Sequence, residues 1–200
     1  GELRVCGKEI RGEPDAVVRE TGVALLPQTD TVVPSLTVLS NLLLAGSRLP
    51  ASLQSILKEC VNKQISAPAP ISFLGPILGP LHALRARRGE TLSGGEKGLV
   101  GVACALLAGP CGALLDEPLA GLSVDRRNLV IQSLLAYVSN DRFILAAEQD
   151  ARFPADHCSI VLELVPPTDV DEEATSIVKV TQRCEASDRS ERPTASSLRG

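Results

Sequence analysis

The chain has 200 residues, a formal net charge of -4 at pH 7, no Met or Trp, one Tyr and three Phe. That length suffices for one domain with a sizeable core, or for a large piece of a domain plus a tail, and the core must be aliphatic. So few aromatic rings leave almost no stacking platform for single-stranded nucleic acid, and the acidic balance opposes a polyanion, so no nucleic-acid partner is expected.

Cys6, Cys60, Cys104, Cys111, Cys158 and Cys184 are scattered, without a CxxC pair or a Cys/His group at zinc spacing. They read as reduced thiols of a cytosolic protein, with a disulfide framework as the alternative that an even count keeps open. The chain opens at Gly1 with no charged-then-apolar leader pattern, and we read it as a piece of something longer.

In chain order, Leu3 to Cys6 and Val23 to Leu26 are short apolar runs stopped by Gly7 and Pro27, which predicts two strands. Ser35 to Leu44 and Ser52 to Gln64 have helical spacing, interrupted by Gly46 and Pro50, and predict a mainly helical insert. Residues 65 to 84 are rich in Pro and Gly and take no assignment from their pattern. From Thr91 onward, helix and buried strand alternate: a helix from about Gly94, a strand at Ala113 to Leu115, a helix from about Asp125 to Val138, and a strand at Phe143 to Ala147. That order predicts an α/β fold with right-handed crossovers and a mostly parallel sheet.

Gly98 to Leu115 lacks any charge and approaches the length of a membrane span, but Gly109, Pro110 and Gly112 break it into helix, turn and strand. Ser159 to Leu164 predicts a further strand. Beyond it, Pro166, Pro167, the acidic run Asp169 to Glu173 and a Ser/Arg/Glu-rich end predict a disordered tail over residues 166 to 200, with Ser176 to Thr181 a candidate extra strand.

Asp116 and Glu117 close an apolar run, at the carboxyl edge of a buried strand, where open α/β sheets bind their ligands. Alone, the pair is equally well explained as an acidic strand end. Upstream, Leu92-Ser93-Gly94-Gly95-Glu96 places a hydroxyl and two glycines at the start of a helix, so that backbone N–H groups and the positive end of the helix dipole can meet an anion. A plain N-cap explains this segment when it stands alone. The two segments together, in this order, carry the reading.

LSGGEK at residues 92 to 97 and ALLDEP at 113 to 118 resemble the signature and Walker B motifs of the ATP-binding cassette (ABC) family. The resemblance implies a partial P-loop NTPase-like domain over residues 1 to 165, with a helical subdomain at about 35 to 105 that carries the signature. It implies that Asp116 holds Mg²⁺ through water and that Glu117 polarises the water attacking the γ-phosphate of ATP. Ser93, Gly94, Gly95 and Glu96 would contact a nucleotide bound to a partner domain. Val23-Ala24-Leu25-Leu26-Pro27-Gln28 is similar to the strand entering the family's Q-loop, which would make Gln28 a sensor of Mg²⁺ and of the transmembrane partner, although Gln28 taken alone reads as an ordinary turn glutamine. Gly1 to Val5 followed by Gly7 resembles the strand and turn after the nucleotide-binding helix, and Pro34 to Val38 with Asn41-Leu42 resembles the opening of the helical subdomain. Arg85, Arg87 and Arg88, just before the signature, read as a solvated helix end, with a face toward a partner's phosphates as the alternative. The implied partners are a second ABC ATPase domain and transmembrane domains in the same or another chain, at the cytoplasmic face of a membrane.

Three departures qualify the match. No GxxxxGK[ST] loop occurs in the chain; in the family it precedes the stretch that Gly1 begins, so truncation is expected rather than loss. Ile144 to Asp150 aligns Gln149 with the family's switch His, and Gln can hydrogen-bond a phosphate but cannot gain a proton near neutral pH. Ser123 stands where the D-loop usually has Asp. Together they suggest a transporter ATPase whose signature serves a partner's site better than its own site works, as the degenerate half of an asymmetric pair. Two alternatives stand beside this. One is a regulatory or structural module that holds nucleotide without turnover. The other is an SMC-type chromosome ATPase, which LSGGEK followed by Gly98-Leu99-Val100 also resembles; the short, Pro-bearing stretch between Gln28 and Ser93, without heptads, opposes it. Among transporters, Val32 to Val38 is similar to the White-type half-transporters.

Overall fold

The structure is a computed structural model that describes residues 4–5, 8–9, 21–138, 142–149, 156–165 and 177–182. Its contacts divide the chain into two compact units, Gly1–Gln149 and Asp150–Gly200. The tail expected over residues 166 to 200 lies outside the described residues except for one strand, and so do Leu3, Cys6 and Gly7 at the start.

The first unit opens with a short antiparallel pair, β1 (Arg4–Val5) and β2 (Lys8–Glu9). Its centre is a parallel sheet of β3 (Val23–Leu26), β4 (Gly112–Asp116) and β5 (Phe143–Ala147), in that order. The register sets Leu25 beside Leu114 and Leu114 beside Leu145; the next row is Leu26, Leu115 and Ala146. Near-continuous apolar runs suit strands whose two faces are both to be covered. Helix α4 (Gly94–Ala108) lies on the Leu26 side, where a Cβ at Gly101 would come within 3.0 Å of Leu26 Cδ1 and 2.5 Å of Thr31 Cβ. Ala24, Leu26, Ala113 and Leu115 are accordingly buried. On the other face Leu25 and Leu145 are 56% and 58% exposed, so among the described residues an apolar row remains open there.

The helical insert contains α1 (Val38–Ala45), a 3₁₀ turn at Gly46–Arg48, and α2 (Ala51–Lys63). Thr37 caps α1 by accepting from the Ser40 N–H. Asn41 is buried beneath it. Its Oδ1 accepts from Val33 N at 2.7 Å, and its Nδ2 donates to the carbonyls of Val33, Leu36 and Thr37 at 3.0–3.3 Å.

The stretch that sequence alone left unassigned is a 3₁₀ segment, Ser72–Ile77, leading into α3 (Leu78–Leu84). Pro80 falls in the first turn of α3, where its missing N–H costs nothing, so the proline does not prevent a helix. Phe73, Leu74, Ile77, Leu78, Leu81 and Leu84 are all buried. This segment docks on α5 (Val124–Val138): Ser133 Oγ donates to the Phe73 carbonyl, and Phe73 meets Tyr137 edge-on with ring centroids 5.3 Å apart. Arg142 lies over both rings, 5.1 and 4.8 Å from their centroids. The uncharged run from Gly98 to Leu115 resolves into α4, a turn at Gly109, and β4, as its glycines and proline imply. No described helix is long and apolar enough to cross a membrane.

The second unit contains the antiparallel strands β6 (Ile160–Val165) and β7 (Ile177–Gln182), in register from Ile160 with Gln182 to Val165 with Ile177.

Candidate functional site

Because β3, β4 and β5 are parallel, their carboxyl ends share one edge, and that edge gathers Gln28, the Asp116-Glu117 pair and the Glu148-Gln149 pair. Asp116 is the last residue of β4 and is exposed. Glu117 follows with φ +46, a left-handed backbone that a non-glycine residue adopts only when its neighbours impose it. Three consecutive residues of the neighbouring strand end hold this residue and the turn after it. The Ala147 carbonyl accepts from Glu117 N at 2.9 Å, the Glu148 Oε1 accepts from Leu119 N at 3.0 Å, and Gln149 Nε2 donates to Glu117 Oε1. The turn closes with Ala120 N donating to the Glu117 carbonyl at 3.0 Å, and Leu119 anchors it in the core.

The second cluster is the start of α4. Ser93 is its N-cap and forms a full capping box: Ser93 Oγ accepts from Glu96 N at 3.3 Å, and Glu96 Oε2 accepts from Ser93 N at 2.8 Å. The other carboxylate oxygen of Glu96 accepts from Arg87 Nη1 at 3.0 Å and lies 3.8 Å from Arg126 Nη2. The Ser93 backbone N–H, the Ser93 hydroxyl and the two guanidiniums hold the Glu96 carboxyl below its ordinary pKa of 4.5, against the opposing effect of desolvation. Ser93 and Gly94 are exposed, so the amide-rich end of the helix faces outward.

The two clusters touch. A Cβ at Gly95 would lie 2.5 Å from the Gly121 carbonyl oxygen, so only glycine lets the helix end approach the turn that follows Glu117. Gly121 itself has φ +68. Gln28 is exposed on the loop after β3, and the same loop is tied to α4 where Thr31 Oγ1 donates to the Lys97 carbonyl at 3.1 Å.

Ser93 to Glu96 therefore sit together at one helix end, Asp116, Glu117 and Gln149 at one sheet edge, and Gln28 on the adjoining loop. Two features escaped the sequence reading. Arg87 is exposed, as expected, but is also a partner of Glu96, brought there because residues 34–39 pair with 85–90 through bonds such as Val38 N to the Arg87 carbonyl (2.9 Å) and Gly89 N to the Leu36 carbonyl (2.9 Å). The other is Glu148, whose role as acceptor for a backbone amide depends on strand register and leaves no signal in sequence.

Cys60, Cys104, Cys111 and Cys158 are free thiols among the described residues. Burial raises the Cys104 thiol to a pKa of about 12, which favours the protonated form.

Comparison with known proteins places this arrangement. The family model described as ABC transporter matches residues 1–120, and the chain belongs to that family. It is 31% identical over 153 residues to the probable branched-chain amino acid transport ATP-binding protein LivF of Archaeoglobus fulgidus, covering 76% of this chain and 59% of that one. It is 37% identical over 122 residues to the lipopolysaccharide export system ATP-binding protein LptB of Acidithiobacillus ferridurans, covering 61% of this chain and 46% of that one. Among solved structures, an ATP-binding cassette in a dimeric post-hydrolysis state, bound to ADP and phosphate, matches 81% of this chain and 68% of its own, with TM-score 0.61 and 17% identity, and so shares the fold. The chain spans less than two thirds of the length of these two curated relatives.

Proposed function

We propose that the chain is part of the ATP-binding and ATP-hydrolysing domain of an ABC transporter, working at the cytoplasmic face of a membrane as one half of a pair of such domains. The observation that carries this reading is the hydrogen bond from Gln149 to Glu117 at the carboxyl edge of the sheet. A carboxylate held on one oxygen keeps its other oxygen as an acceptor for a water proton, and the Gln149 amide orients it without competing for that proton. Glu117 then polarises the attacking water, and Gln149 positions Glu117.

The residues suit ATP and Mg²⁺. Asp116 and Gln28 offer hard oxygen donors at adjacent strand ends, and the described residues contain no group of three or more His, Cys, Asp or Glu that could cage a metal. Such a site fits an ion held by one carboxylate, water and phosphate oxygens rather than by protein alone. When bound, Mg²⁺ would neutralise phosphate charge; Asp116 would hold it through water, and Gln28 would report on it. The exposed helix start at Ser93 and Gly94 suits the γ-phosphate of a nucleotide carried by the partner domain. Glu96 serves that site through Ser93, because both of its oxygens are engaged within the chain.

A second reading is a nucleotide-holding module without turnover. Gln149 in place of a switch His and Ser123 in place of the D-loop Asp favour it, and they equally favour a slow half of an asymmetric pair. Trapping nucleotide on the whole protein after incubation with Mg-ATP separates them. Retained ADP supports the ATPase, whereas ATP retained unchanged over many hours supports the module. Substrate choice belongs to membrane-spanning segments, and we assign none.

A further inference from the structure

We propose that Glu148 is a positioning residue that fixes, through a single turn, both the geometry of Glu117 and the stance of the signature at Ser93 to Glu96. The inference rests on the ATPase reading above for its functional half; its structural half stands alone.

Leu119 N donates to Glu148 Oε1 at 3.0 Å, and this bond secures the turn two residues beyond Glu117. Glu117, at φ +46, holds an unfavourable backbone state that relaxes if its surroundings loosen. Of the three tethers from the β5 end, the Ala147 carbonyl continues the sheet, and Gln149 grips only the Glu117 side chain. Glu148 is the tether that reaches past Glu117 to the far side of the turn.

That far side is where the signature rests. Ala120 N returns to the Glu117 carbonyl at 3.0 Å, and Gly121 presents its carbonyl to Gly95 too closely for any side chain to intervene. Displacement of Leu119 and Ala120 therefore shifts the surface against which the first turn of α4 is seated. In a paired domain the consequence is specific: Glu117 serves this chain's own nucleotide, while Ser93 to Gly95 serve the partner's. Glu148 would thus position groups in two different sites.

The test compares Glu148→Ala, which removes the acceptor, with Glu148→Gln, which keeps a neutral one. Amide hydrogen exchange on the whole protein is the first readout and needs no activity. Glu148→Ala is expected to speed exchange at Leu119 by about tenfold or more and to raise it at Gly95 and Glu96, while Glu148→Gln restores most of the protection. Unchanged exchange at Gly95 and Glu96 in a folded Glu148→Ala protein overturns the link, whatever becomes of the ATPase reading.

The second readout is steady-state hydrolysis. Glu148→Ala is expected to lower kcat about tenfold with little change in KM for ATP, and Glu148→Gln to recover it. Loss of protection with kcat unaltered overturns the functional half and leaves the structural half intact.

Discussion

The side-chain amide of Gln149 donates to the carboxylate of Glu117, joining residues 32 positions apart across the ends of two neighbouring parallel strands. Position 149 is thus coupled to the Glu117 carboxylate before any nucleotide is considered. Gln149→Ala should slow ATP hydrolysis by the whole protein roughly 100-fold while leaving nucleotide affinity within a few fold, because it frees Glu117 without removing it. Gln149→His should make turnover depend on pH around 6.5, the ordinary imidazole range. A pH–rate profile of the two variants checks both statements, and a flat profile for Gln149→His would count against a direct role for this position.

The adjacent glycines of the signature should respond in opposite senses. Gly94 has open space around its Cβ position, so Gly94→Ala should leave the fold as stable or add up to about 1 kcal/mol, as alanine does in a helix. Gly95→Ala must displace the Gly121 carbonyl and should cost about 1–3 kcal/mol. Denaturant unfolding of the two variants measures this. If the outward amides serve a partner's nucleotide, Gly94→Ala should also weaken ATP-dependent pairing despite its stability.

Much of this was legible in sequence because local rules sufficed. Val23–Leu26 and Phe143–Ala147 are uninterrupted apolar runs, and Pro27 stops the first, so their limits match the structure residue for residue. The helices at Val38–Ala45 and Ala51–Lys63 begin and end within a few residues of the expectation. The segment 65–84 was opaque because Pro76, Gly79 and Pro80 mask an apolar spacing whose burial is decided by docking on α5, a tertiary event. The site divides in the same way. Ser93, Asp116 and Glu117 lie on contiguous motifs, whereas the Arg87–Glu96 pair and the Glu148–Leu119 bond exist only through the pairing of distant segments.

Glu96 gives the signature a predictable pH response. Its folded pKa is depressed below 4.5, so its contribution is present above that value and is lost as pH falls toward and through the folded pKa. Thermal unfolding from pH 6 down to pH 3 should therefore show a loss of stability, setting in below about 4.5, that Glu96→Gln reduces. An identical pH dependence in Glu96→Gln would mean the capping box contributes nothing measurable.

Burial separates structural from open apolar positions on the sheet. Leu115 is 3% exposed, and Leu115→Ala should cost about 2–5 kcal/mol. In a protein of these 200 residues, Leu25→Ser and Leu145→Ser should each cost less than about 1 kcal/mol, since both side chains are more than half exposed. Asn41→Ala strips four hydrogen bonds from a buried amide and should cost about 3 kcal/mol, a loss comparable to that of a core leucine. Equilibrium unfolding midpoints rank the four variants.

The central claim, that Glu117 works on one side of a shared site and Ser93 on the other side of its twin, has a direct test in trans complementation. In a pair of like chains, Glu117→Gln and Ser93→Arg each disable both sites. Mixed in equal amounts, they form heterodimers in which one site joins an intact Glu117 to an intact signature. ATP hydrolysis should reappear in the mixture at a substantial fraction of the wild-type rate, although each variant alone is inactive. If heterodimers form and hydrolysis stays at the level of the separate variants, the two clusters do not build a site between two copies of this chain, and the shared-site claim fails for a pair of like chains.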